Sequence, residues 1–111
     1  MASSAARPAA LVLAALMASS AWAADADVLA QGRKLFIEGA VPPCAVCHVL
    51  KDAGSSGAVG PSLDDVKPDA ERVIAAMTHG IGLMPSFRTT LDAAQMRAIA
   101  RYVSKASGGA K

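Results

Sequence analysis

The two cysteines of this 111-residue chain stand three positions apart, in Cys44-Ala45-Val46-Cys47-His48. No other feature constrains the fold as tightly. On a helical turn, positions i and i+3 share a face and i+4 lies beside them. Two thiols and one imidazole are therefore offered together on one side of a short segment. Pro42-Pro43 comes just before. Proline fits the first turn of a helix and not its interior. A short helix is thus predicted to start near Cys44 and to end before Asp52.

The rest of the chain has little with which to build a core. The hydrophobic fraction is 53%, but 26 residues are alanine, and the large rings are two Phe, one Tyr and one Trp. A chain this small needs a staple: a disulfide, a metal or a prosthetic group. The pentapeptide has the spacing of covalent c-type haem attachment. Cys44 and Cys47 can each bond one vinyl group of the porphyrin, and His48 can direct a ring nitrogen at the iron. Three plainer readings compete. A redox dithiol of the thioredoxin type needs strands around it. A disulfide across two intervening residues closes too small a loop to staple much. A zinc site needs four ligands, and without carboxylates these could only be Cys44, Cys47, His48 and His79. Length leaves room for one domain and excludes a barrel or a large parallel sheet. A net charge of +2 with no basic cluster argues against nucleic acid as a partner.

Residues 1–23 read as an export signal. Arg7 supplies a short positive start, the stretch from Pro8 to Ala18 is apolar, and Ala21-Trp22-Ala23 ends in the small residues that a signal peptidase reads. Cleavage after Ala23 leaves 88 residues, 24–111, as the single folded domain. That domain meets an oxidising, periplasmic compartment. It loses the only Trp and carries ten Lys+Arg against nine Asp+Glu, so it is close to neutral. If the segment were kept, the 17 uncharged residues between Arg7 and Asp25 would be the bare minimum for a membrane anchor.

Four helical patterns follow, with no alternation that predicts a sheet. The first spans Asp27 to Glu38, with Val28, Leu29, Gly32, Leu35 and Phe36 on one face. The second is the short one at Cys44. The third runs from Pro68 to His79, with Ala70, Val73, Ile74 and Met77 as its apolar stripe, and is stopped by Gly80 and Gly82. The fourth runs from Asp92 to Ala106 behind a capping box of Asp92 and Gln95. Its apolar face is Met96, Ile99, Ala100 and Val103. Asp52 to Gly60 reads as a Gly/Ser loop, and the tail from Ser107 as frayed.

A second axial ligand would decide what the haem does. Met77 and Met96 fall on apolar helix faces, where methionine is ordinarily core. His79 ends a helix, where it suits the dipole. Met84 lies in Gly80-Ile81-Gly82-Leu83-Met84-Pro85, where the glycines allow close approach to a porphyrin and Pro85 stiffens the chain. Met84 is the favoured ligand, with Met77, Met96 and His79 as the alternatives. His/Met ligation raises the potential and leaves no open position for substrate, which favours electron transfer over catalysis. No catalytic residue is assigned.

At this point a resemblance is visible. From Asp27 to Ser107 the chain resembles the small class I monohaem cytochromes c. The likeness rests on Cys44-Ala45-Val46-Cys47-His48, Gly60-Pro61-Ser62-Leu63, Leu83-Met84-Pro85-Ser86-Phe87 and Ala98-Ile99-Ala100-Arg101-Tyr102-Val103. It implies an all-α fold of about four helices around one haem c. The first and last helices would cross at Gly32, with Phe36 and Tyr102 filling the contact. The Pro61 carbonyl would accept a hydrogen bond from His48, and Leu63 would pack on the haem. His48 and Met84 would hold the iron.

A narrower likeness lies in Ala40-Val41-Pro42-Pro43-Cys44, Asp52-Ala53-Gly54 and Gly60-Pro61-Ser62-Leu63-Asp64. These segments resemble c-type cytochrome partners of bacterial sulfite dehydrogenases. That implies a periplasmic dehydrogenase as electron donor and a further cytochrome or a terminal oxidase as acceptor. Ala45, Val46, Leu83, Pro85 and Ser86 would ring the exposed haem edge, with Lys51, Lys67 and Arg88 as ordinary solvated charges that could steer an acidic partner. Two other classes remain open: a haem subunit permanently bound to an oxidoreductase, and a small haem enzyme or sensor with a detachable Met ligand.

Overall fold

The computed structural model describes residues 8–110. Arg7 therefore lies outside the described residues. Helix α1 spans Pro8–Lys34 and passes directly into a π-helical turn, Leu35–Gly39. The helix begins well before the expected Asp27, because the Ala-rich stretch ahead of it contains good helix formers and no interior breaker. It ends in a widened turn, closed by the Ala40 N–H donating to the Leu35 carbonyl at 2.9 Å. Helix α2 (Leu63–Val66), α3 (Ala70–His79) and α4 (Ala93–Ser107) follow.

Two expected helices match closely. Asp69 caps α3 by accepting from the Arg72 N–H at 2.9 Å, and Gly80 ends it at φ 71°. Asp92 and Gln95 form the reciprocal capping box of α4, at 2.8 and 2.9 Å. Three expectations are corrected. The segment after Cys44 is a single 3₁₀ turn, Cys44–Val46, and not a helix reaching toward Asp52. A small antiparallel pair, β1 (Val49–Leu50) and β2 (Ser55–Ser56), follows it where no sheet was expected. It is too short to show a period in sequence, and Ser55 Oγ holds it by accepting from the Leu50 N–H at 2.9 Å and donating to the His48 carbonyl at 2.8 Å. The tail is also pinned rather than frayed through Ala110, whose N–H donates to the Ser104 carbonyl at 2.9 Å. Gly109 lies so close to Pro68 that a Cβ there would sit 2.2 Å from its carbonyl oxygen.

The first and last helices pack at Gly32, where a Cβ would lie 2.1 Å from the Ala98 carbonyl oxygen. Phe36 and Tyr102 meet edge to face beside it, with ring centres 6.0 Å apart. Phe36, Leu50, Met77, Ile99 and Val103 are the largest fully buried side chains. All but Leu50 also form the wall of a cavity that the π-helical turn, α2, α3 and α4 enclose with the loops.

Candidate functional site

The proline pair delivers the chain in extended form to the 3₁₀ turn, with Pro43 as its N-terminal neighbour at φ −63° and ψ 140°. The tight turn sets Cys44, Cys47 and His48 on one side, and all three line the cavity. The His48 N–H and the Cys47 N–H both donate to the Cys44 carbonyl, at 3.0 and 3.2 Å. The loop beyond folds back over them, and the Gly60 N–H donates to the Cys47 carbonyl at 2.8 Å.

His48 Nδ1 lies 2.7 Å from the Pro61 carbonyl oxygen. A carbonyl can only accept, so Nδ1 carries the proton and donates it. The lone pair of Nε2 is then free for a metal. Gly60 presses against the same ring: a Cβ there would stand 2.6 Å from His48 Cε1.

Met84 closes a tight turn with Ile81. The Ile81 N–H donates to the Met84 carbonyl at 3.1 Å and the Met84 N–H to the Ile81 carbonyl at 2.9 Å, with Gly82 at φ 56° between them. The loop is tied to α3 by the Phe87 N–H to the Met77 carbonyl at 2.7 Å and by Ser86 Oγ to the Thr78 carbonyl at 2.7 Å.

Cys44, Cys47, His48, Pro61, Leu63 and Met84 thus line one cavity of about 380 Å³. Of the alternative ligands, Met77 also reaches its wall, whereas Met96 packs on the helix core and His79 is exposed, and neither lines it. The sequence reading missed most of the wall. Val73 and Ala76 come from the inward side of α3, and Val59, Ile81 and Phe87 from the loops. The i, i+3, i+4 spacing of α3 carried that signal, but a stripe facing a cavity reads like a stripe facing core.

The residues fit a haem. The walls are overwhelmingly apolar, which suits a flat macrocycle, and imidazole with thioether is an established donor pair for its iron. The two thiols are free to form the covalent links. Burial pushes the Cys44 thiol up to about 11, with the nearby Cys47 adding to the rise and a backbone hydrogen bond opposing it. Catalytic dithiols have the opposite tuning, because the thiolate is the nucleophile. That disfavours the thioredoxin-type reading. Among the described residues no three His, Cys, Asp or Glu side chains converge as a metal cluster.

Residues 27–103 match the family described as cytochrome c oxidase, cbb3-type, subunit III. The chain is also similar to the crystal structure of the c-type cytochrome SorU from Sinorhizobium meliloti. That likeness has 52% identity and a TM-score of 0.71, and covers 77% of this chain and 97% of the other. No curated protein gives a significant match.

Proposed function

This chain belongs to the cytochrome c oxidase, cbb3-type, subunit III family of c-type cytochromes, and we propose that it serves as a periplasmic one-electron carrier with His48 and Met84 as its axial ligands. As a c-type cytochrome it is an electron-transfer protein and not an enzyme, and its cofactor is covalent haem c on Cys44 and Cys47. When bound, the haem supplies a one-electron couple. His48 holds Nε2 toward the cavity because Pro61 fixes its other nitrogen. Met84 would offer its thioether from the loop after α3, whose backbone is tied at Ile81 and Ser86. Apolar walls of this kind would exclude water from the bound group and so lower the reorganisation that electron transfer must overcome.

The observation that carries this reading is the convergence of His48, anchored at 2.7 Å, and Met84 on a single apolar cavity. Replacing Met84 with Ala is expected to open the ferrous protein to carbon monoxide and to lower its potential. A Met77→Leu variant should stay closed. Equal carbon monoxide binding by wild type and Met84→Ala would overturn the assignment.

Export is supported by the N-terminal segment. The described side chains ahead of Asp25 are exposed, Trp22 to 80%. Asp25, just after the expected cleavage point, pairs with Arg101 of α4. Cleavage after Ala23 would thus leave the packed part of the molecule whole. No helix among the described residues is long and apolar enough to cross a membrane.

The donor favoured is a periplasmic sulfite dehydrogenase, on the likeness of residues 40–44, 52–54 and 60–64 to the cytochrome partners of such enzymes, with a further cytochrome or terminal oxidase as acceptor. The test adds sulfite to the oxidised, haem-loaded protein with and without periplasmic extract. Rapid haem reduction only with extract supports the pairing. No reduction, in protein still reducible by dithionite, removes that donor.

A further inference from the structure

Among the described residues, Arg72 is the one permanently charged side chain lining the cavity. It shares a face of α3 with Val73, Ala76 and Met77, all of which also line it. Met77 is buried, while Arg72 is exposed, about 7.5 Å further along the helix axis at 1.5 Å per residue. The apolar face of α3 therefore ends in a single cation at the cavity mouth.

That cation stands in an unfavourable place. Arg72 is the third residue of α3, in the first turn, where the helix dipole favours anions and opposes cations. Arg72 belongs to neither of the ion pairs Arg33–Asp52 and Arg101–Asp25, and the acids nearest it in sequence are Asp69, which caps α3, and Glu71. The cavity lining contains no carboxylate. The helix end already has the Asp69 carboxylate as its cap, so an anion supplied by whatever fills the cavity would meet the guanidinium.

Haem has such anions in its propionates. A carboxylate taken from water into an apolar site is costly unless paired, and the planar guanidinium fork matches a carboxylate in two parallel hydrogen bonds. We propose that Arg72 is the counter-ion of a haem propionate, fixing the polar end of the cofactor while Val73, Ala76 and Met77 remain against its apolar part. The inference rests on the haem reading of the cavity.

The test uses the haem-loaded protein. Wild type, Arg72→Gln, Arg72→Lys and, as a control for loss of charge elsewhere, Arg97→Gln on α4 are compared by redox titration and by the propionate bending band in resonance Raman spectra. Arg72→Gln is expected to shift the reduction equilibrium about threefold to tenfold toward the oxidised form, because a nearby positive charge is lost. It should also displace the propionate band. Arg72→Lys should retain most of the potential but still displace the band, and Arg97→Gln should change neither. A wild-type band and potential in Arg72→Gln overturn the proposal. If Arg72→Gln fails to load haem, Arg72→Lys decides: a displaced band supports the pairing and an unmoved one overturns it. Wild-type protein without covalent haem would overturn this inference and the function reading together, and loading is measured before the variants are compared.

Discussion

A methyl group at position 60 would stand 2.6 Å from His48 Cε1 and 2.9 Å from Nδ1. The ring cannot yield without lengthening its 2.7 Å bond to the Pro61 carbonyl. Gly60→Ala is therefore expected to tilt the imidazole. Haem-loaded Gly60→Ala should show a weakened iron–histidine vibration and a changed potential, whereas Gly54→Ala, with open space around its Cβ position, should leave both signals intact. The sequence marked Gly60 as the end of a Gly/Ser loop, and the family resemblance gave a role to the Pro61 carbonyl beside it. It could not show that the glycine touches the ring, because that contact joins residues twelve apart through a loop with no periodic signal.

Tyr102 poses a different residue-scale question. Its hydroxyl donates to Asp52 Oδ2 at 2.6 Å, and Arg33 Nε lies 3.8 Å from the same oxygen. Burial, and then the Asp52 carboxylate that holds its proton, push the phenol well above its ordinary value of 10. Because the folded-state value is raised, the bond's contribution is complete below pH 10 and is lost as the pH climbs toward the folded value. Tyr102→Phe should cost about 1–2 kcal/mol at pH 7. Denaturant titrations should find that difference constant from pH 7 to about 9 and shrinking above about 10. A constant difference across that upper range would count against the Asp52 bond as its source.

Among elements, the pairing of α1 with α4 was the most legible and is the most sensitive. Gly32, Phe36 and Tyr102 were all marked in the sequence, and the crossing uses all three. Gly32→Ala would place a Cβ 2.1 Å from the Ala98 carbonyl oxygen and 2.7 Å from Tyr102 Cβ. Backbone must move, so the cost should be about 1–3 kcal/mol, read as a lower denaturation midpoint in haem-loaded protein. A midpoint within error of wild type would mean that the helices are not in such close contact. The Asp69 cap of α3 went unread, although it bonds the Arg72 N–H just three residues on, whereas the capping box of α4 was also legible, since Asp92 and Gln95 act within three residues of each other. The β1–β2 pair, the one-turn α2 and the pinned tail were not. Each is shorter than the window in which a hydrophobic period can be seen, and each is held by distant partners. Ser55 bonds the His48 carbonyl, Lys51 N–H donates to Asp64 Oδ2 at 2.8 Å, and Gly109 rests on Pro68.

On the scale of the whole molecule, the scarcity of large side chains has a direct structural meaning. Phe36, Met77, Phe87, Ile99 and Val103 are buried, yet each faces the cavity. The core is a shell, and the cofactor completes it. The loops that close the shell leave apolar side chains in water at its mouth: Leu83 is 88% exposed, Ile81 68% and Val59 65%. All three line the cavity, so they sit beside whatever edge of the cofactor reaches the surface. The domain expected after cleavage is close to neutral, which gives long-range charge little to act on. A partner that docks here would be held by brief apolar contact rather than drawn in by charge. The rate of reduction by the physiological donor should then change less than about threefold between 50 and 200 mM salt. Leu83→Glu should slow it roughly tenfold, because the carboxylate must be desolvated in the contact, while the potential stays close to wild type. Stopped-flow reduction at the two salt concentrations reads both effects. A steep salt dependence with an indifferent Leu83→Glu variant would move the docking surface away from this rim, toward Lys51, Lys67 and Arg88.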